Sequence, residues 1–305
     1  MGALLLLSLL PMALVFGAFG GDDDEPEQTT DEPEGERIEA QPETPVTGTE
    51  GDDTIIGTDG DDIVSGAAGD DNIYLGAGND GFNTDEELDL DALIDKALAD
   101  DPVGAAEDLA EADFFGADGG AGDDYIDGGA DNDGILGGAG DDTLRGGLGK
   151  DLLVDVEGEN ELYGGYGSDL LMALDASGTD APDLLDGGAQ NDDLLGDDGD
   201  TMTGGAGLDN FGIVWAPGDA ALTITDFGIG NIDDENSEEL TVQVGTWSET
   251  QTFTLADTEA GAALSIDGAV VTVLNGVTAA SAQSYISLQV GTDDTNLIRP
   301  TLIGG

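Results

Sequence analysis

A nine-residue period runs through the middle of the chain and limits the fold more than any other feature. Residues 48–74 read GTEGDDTIIGTDGDDIVSGAAGDDNIY, one phrase written three times with Gly, an Asp pair and an aliphatic residue at fixed places. The frame holds over 48–83 and breaks. It resumes at Gly119 with GGAGDDYID and runs through GGAGDDTLR, GGLGKDLLV and GGYGSDLLM to Met172. It slips, then returns from Gly178 through GGAQNDDLL, a copy one residue short, and GGAGLDNFG ending at Gly212. The copies number fourteen, in groups of four, six and four. A unit this short cannot bury an apolar face alone, so neighbouring copies must stack.

Each place in the phrase has a physical task. The glycines permit positive φ and close backbone approach, so the first six residues can form a tight turn whose carbonyls converge. The sixth residue is Asp in twelve of the fourteen copies. The eighth is apolar in all but the shortened copy: Ile55, Val64, Ile73, Phe82, Ile126, Ile135, Leu144, Leu153, Leu162, Leu171, Leu185, Leu194 and Phe211. Alternation then points the eighth residue inward from a three-residue strand and its neighbours outward. Stacked strands give two parallel sheets around a thin aliphatic core, with a turn at each edge. Identical turns lie one coil apart, and their carboxylates face the same gap.

The charge balance supports a cation in that gap. The 305 residues include 69 Asp and Glu but only five Lys and Arg, a formal net charge of −64. Self-repulsion at this level opposes a compact state. Acidic chains poor in aromatics are usually disordered. Here the acids are periodic, and periodic acids can be neutralised by bound ions. The chain has no Cys and no His, which excludes disulfides, thiol catalysis, a Ser-His-Asp triad and the HExxH zinc site. It also argues against zinc or copper. Carboxylate and carbonyl oxygens on flexible loops favour Ca²⁺ over the stricter octahedral Mg²⁺. Nucleic acid is excluded as a partner, because there is no basic patch to release phosphate counterions.

The phrases GGAGDDYID, GGAGDDTLR and GGYGSDLLM resemble the GGxGxDxUx nonapeptide of the RTX (repeats-in-toxin, hemolysin-type) calcium-binding repeat proteins. The likeness spans roughly the middle half of the chain. It implies an all-β fold, a parallel β-roll that folds on meeting extracellular calcium after export as an unfolded chain. It also implies that the metal-ligating carboxylates are Asp53, Asp62, Asp71, Asp80, Asp124, Asp133, Asp142, Asp151, Asp169, Asp183, Asp192 and Asp209. Two copies depart from the pattern, with Asn160 and, in the shortened copy, Thr201 in the ligand place. The copies beginning at Gly128 and Asp155 lack the full glycine set, so distorted turns are expected there.

The flanks divide as follows. Residues 1–21 form an uncharged hydrophobic run fitting a secretory signal or a membrane anchor. Residues 22–47 are acidic and rich in Pro, Thr and Glu, the composition of a disordered spacer. Between roll segments 48–83 and 119–212, the insert 84–118 reads as helical. Thr84 and Glu87 make a capping box, Leu90, Leu93, Ile94, Ala97 and Leu98 make an apolar stripe, and Pro102 ends it. Phe114 and Phe115 motivate a sharper reading of the insert as a partner-binding module. From 213 to 305, Gly and Asp thin out while Thr, Val and Ile rise, as in a β-rich domain that caps the open end of the roll and relates to secretion. Its TITDF run loosely resembles the segment following the repeats in secreted RTX proteins. Trp215 and Trp247 are expected in the core.

These features point to a non-enzymatic, exported protein that binds Ca²⁺ and has a structural, adhesive or cell-surface role. Its partners would be calcium ions, a membrane reached through the N-terminal segment, and an extracellular-matrix or secretion-machinery component. The alternative is an extracellular polysaccharide-active enzyme carrying the same repeats. Such an enzyme needs a dedicated catalytic domain, and neither the insert nor the C-terminal region has the size for one. A pore-forming toxin would need acylatable lysines, and the chain has only Lys96 and Lys150.

Overall fold

A computed structural model describes residues 36–40, 45–78, 80, 116–174, 181–228, 238–244, 251–290 and 301–302. The hydrophobic N-terminal run, most of the acidic spacer, nearly all of the helical insert, Phe82 and Trp247 lie outside these residues.

The nonapeptide period becomes two parallel sheets that alternate along the chain. One sheet takes β1 (Arg37–Glu39), β3 (Thr54–Ile56), β5 (Asn72–Ala77), β7 (Tyr125–Ala130), β9 (Thr143–Leu148), β11 (Glu161–Tyr166), β13 (Leu184–Ala189) and β15 (Thr201–Ala206), in that order. The other takes β2 (Val46–Thr47), β4 (Val64–Ser65), β6 (Ala117–Ala121), β8 (Gly134–Ala139), β10 (Leu152–Asp155), β12 (Leu170–Ala173), β14 (Asp193–Gly196) and β16 (Asn210–Val214). Two copies therefore make one coil, and Ile55 pairs with Ile73 and Ile126 with Leu144 at that spacing. The expected all-β parallel β-roll is observed.

Every described eighth-position residue is buried in one central apolar cluster. Met202 of the shortened copy joins it and pairs with Leu185 and Ile224. The strands are longer than the three residues expected. β9 continues from one copy into the GGL of the next, because the glycines pair in register, Gly147 with Gly129 and Gly165. The outward face also departs from the simple alternation. Leu152, Val154, Leu170, Met172 and Leu195 point away from the central cluster and are nonetheless buried. On the outer face of the first sheet the Arg145 guanidinium lies over the Tyr125 and Tyr163 rings, 5.7 and 5.1 Å from their centroids.

Two boundaries differ from the sequence reading. Strands β1 and β2 fall within the stretch read as a disordered spacer. They pair with β3 and β4, and Ile38 and Val46 pack on the core. An exposed sheet edge is satisfied by any extended segment with an apolar residue at the right place, and repeat matching does not see such a segment. At the other end the roll does not stop at 212. β17 (Leu222–Ile224) continues the first sheet, and β18 (Glu239–Val244) continues the second. β21 (Ala269–Asn275) and β22 (Ile286–Val290) extend them again in parallel. Only then does the chain turn antiparallel, through β19 (Phe253–Asp257), β20 (Gly261–Ile266) and β21, with β23 (Thr301–Leu302) on β19. A short helix α1 (Ala279–Ala282), with a Thr278–Ser281 capping box, links β21 to β22. The composition changes at 213, while the sheets run on. Trp215 is buried in the core as expected.

Candidate metal centre

The sixth-position side chains form two ladders, one along each edge of the roll. In the first, the backbone N–H of Asp53 donates to Oδ1 of Asp71, Asp71 to Asp124, Asp124 to Asp142, Asp142 to Asn160, Asn160 to Asp183 and Asp183 to Asp200, at 2.5–2.8 Å. In the second, Asp62 donates to Asp80, Asp80 to Asp133, Asp133 to Asp151, Asp151 to Asp169, Asp169 to Asp192 and Asp192 to Asp209, at 2.7–3.2 Å. All twelve aspartates singled out in the sequence lie on these ladders, and each is 3 % exposed or less. The rung spacing is 18 residues where the repeat is regular and 53 across the insert.

The sequence reading misplaced one rung and missed one carboxylate. In the shortened copy the ladder residue is Asp200, fully buried, while Thr201 begins β15. Counting six places from the start of an eight-residue copy overshoots by one. Anchoring the count on the inward Met202 would have found it. The missed carboxylate, Asp155, stands in a glycine place and is fully buried.

Nine of these rungs use only Oδ1. The Oδ2 atoms of Asp71, Asp80, Asp124, Asp133, Asp142, Asp151, Asp169, Asp192 and Asp209 are buried and have no hydrogen-bond partner. The glycine that opens each copy shows where they point. A methyl built on Gly66 would lie 2.2 Å from Asp71 Oδ2 and 2.3 Å from the Gly119 carbonyl oxygen of the next coil. On Gly119 it would lie 2.4 Å from both Asp124 Oδ2 and the Gly137 carbonyl oxygen. These turns thus hold a small cradle walled by a carboxylate oxygen and a backbone carbonyl, which only glycine leaves open. Among the described residues no three acidic side chains converge on one point, so an ion here would draw its remaining ligands from carbonyl oxygens. That donor set fits a hard cation such as Ca²⁺.

Packing these carboxyls side by side away from water raises their pKa values. Burial pushes the Asp133 carboxyl up to about 9 and Asp124 to about 8. It pushes Asp151 and Asp192 to about 7, and Asp80 and Asp169 to about 6. Backbone N–H donors offset part of this, and carboxylates one coil away add to it for most of these groups. Without a cation these buried acids hold protons at a pH where exposed carboxyls do not, because an unpaired buried charge is costly.

The last rungs are closed by the TITDF run. Asp226 accepts from the Gly204 and Gly205 N–H groups at 2.9 and 2.8 Å, and the Phe227 ring packs 5.9 Å from Phe211. Beyond it, Glu238 accepts from the Gly228 N–H, and burial raises its carboxyl to about 7.

No curated protein matches the chain. The family model for the RTX calcium-binding nonapeptide repeat does match, in four blocks at residues 47–82, 117–144, 145–175 and 175–201. These blocks carry both ladders from Asp53 to Asp200. Residues 47–82 and 117–201 are RTX calcium-binding nonapeptide repeats.

Proposed function

We propose that this is an exported calcium-binding protein whose repeat coils fold as they take up the ion, with a structural, adhesive or cell-surface role and no catalytic activity of its own. One observation carries this reading. Nine buried ladder aspartates leave a carboxylate oxygen unpaired, several of them against a backbone carbonyl of the next coil, in repeats of a calcium-binding family. Such a ladder is unfavourable when empty and ionised, so binding energy and folding energy are coupled. Calcium sites in extracellular modules work in the range of about 0.1–1 mM, which fits a chain that folds outside the cell and stays unfolded where calcium is scarce. The uncharged hydrophobic first 21 residues support export. The partners proposed are calcium ions first, then a membrane or matrix component that holds the roll at the surface.

The test is far-ultraviolet circular dichroism of the full chain, taken from chelator into calcium, with magnesium at equal ionic strength as control. A cooperative gain of β structure with calcium alone is the expected result. A spectrum identical in chelator and in calcium would overturn calcium-coupled folding.

A further inference from the structure

The copy beginning at Asp155 breaks the pattern twice. It has Asn160 where the ladder carries Asp, and Asp155 where the copy should open with Gly. Taken singly, each change damages a turn. In space the two compensate.

Asn160 keeps the structural half of the rung and loses the chemical half. Its Oδ1 accepts from the Asp142 N–H at 2.8 Å, as the aspartates do. That bond fixes the amide, so Nδ2 occupies the place where other rungs present Oδ2. This nitrogen is buried without a partner. A donor there cannot ligate a cation.

Asp155 supplies the missing oxygen. The first place of each copy faces inward toward the cradle, and the Asp155 carboxylate does so from the same turn as Asn160. Its Oδ1 accepts from the Val156 and Glu157 N–H groups at 2.7 and 3.3 Å, which fixes the side chain. Its Oδ2 has no partner, and the residue is fully buried. A methyl built on Gly137, one coil away, would lie 1.8 Å from Asp155 Oδ2 and 2.7 Å from Asp142 Oδ2. At Gly48, Gly57, Gly66, Gly119, Gly128, Gly164 and Gly187 the equivalent neighbour is a backbone carbonyl oxygen of the next coil. In this cradle alone among those eight, two unpartnered carboxylate oxygens sit side by side.

We propose that Asp155 replaces the ligand lost at Asn160, so that the edge running through Asp142 and Asp183 binds a divalent cation at this step, with Asp142 and Asp155 as its paired carboxylates. The inference rests on the calcium reading above and extends it to a position that the repeat pattern assigns to glycine. Two carboxylates at one step also predict a site at least as strong as its neighbours, because ligand charge tunes affinity for hard cations.

Calcium stoichiometry and affinity of the full chain, by isothermal titration calorimetry with equilibrium dialysis, test it. Asp155→Asn keeps the size of the side chain and removes the charge; it is expected to lose a bound ion. The double variant Asp155→Gly with Asn160→Asp restores the regular repeat. It is expected to bind as many ions as the parent, and it decides the matter should the single variant fail to fold. Unchanged stoichiometry and affinity in Asp155→Asn would overturn the proposal. So would an additional ion in the double variant, since the step would then be vacant in the parent. A parent chain that takes up no calcium at all would remove this inference together with the function on which it rests.

Discussion

The coils from β3 to β16 and those from β17 to β22 belong to the same two sheets, yet they are held together differently. The earlier coils have one inward aliphatic residue per copy and a ladder of buried aspartates at both edges. The later coils replace the ladder with bulk. Trp215, Phe227, Phe253, Leu255, Leu264 and Val271 fill the interior, and an antiparallel meander closes the first sheet. A thin core buries little apolar area per residue, so under the proposed function the laddered coils depend on a cation to become compact. Under that proposal, one continuous sheet contains a segment that folds on a signal and a segment that does not require it.

Core truncation separates the two segments most strongly. Leu162 and Leu264 are both fully buried. In saturating calcium, Leu162→Ala and Leu264→Ala should each cost about 3 kcal/mol, measured by denaturant unfolding. In chelator only the Leu264→Ala penalty should persist. Equal penalties in both conditions would mean that the laddered coils stand without the ion.

Glycine substitution gives the next largest contrast. A methyl on Gly119 meets the Gly137 carbonyl at 2.4 Å and fills the cradle, whereas a methyl on Gly276 meets nothing within 4 Å. Gly119→Ala should cost about 2 kcal/mol through forced displacement of backbone and should weaken calcium uptake. Gly276→Ala should cost about 1 kcal/mol, from its positive φ alone, and leave calcium titrations unchanged.

The pH dependence should be confined in the same way. Nine ladder carboxyls, among them Asp71, Asp142 and Asp209, are raised above 3.8 in the folded state, to about 6 at Asp169 and about 9 at Asp133. A group raised on folding binds more protons in the folded state, so stability falls as pH rises. In chelator, the laddered coils should therefore be most stable near pH 4 and lose stability progressively up to about pH 9. Circular dichroism across that range checks it, and saturating calcium at neutral pH should restore the lost signal. A metal-free chain that gains β structure as pH rises would contradict the assignment.

The smallest effect concerns the turns. Asp131 and Gln190 hold φ of 77° and 86° in the fourth place, where most copies have glycine. Asp131→Gly should raise the calcium-bound stability by at most about 1 kcal/mol, read from the denaturant midpoint.

Much of this was legible in the sequence, because period-nine spacing fixes both the inward residue and the rung. Leu144 and Asp142 could be assigned without coordinates. What was not legible follows from how the sheets tolerate irregularity. One residue deleted before Met202 moves the rung to Asp200 but leaves the strand pairing intact. The edge strands Arg37–Glu39 and Val46–Thr47 carry no repeat signature, since pairing needs only backbone groups and one apolar contact each. The continuation through β17 and β18 was hidden by the change in composition, which tracks the loss of the ladder rather than an end to the sheets. Asp155 looked like a defect because its approach to Asp142 at the Gly137 cradle appears only when one coil is stacked on the next.

The central claim is that the buried ladders, and not the apolar core alone, decide whether the repeat coils fold. Hydrogen exchange of the full chain, resolved by peptide and compared in chelator and in calcium, tests it most directly. Protection from β3 to β16 should appear only with calcium, while β19 to β22 should be protected in both states. Equal protection of β3 to β16 in chelator and in calcium would contradict it.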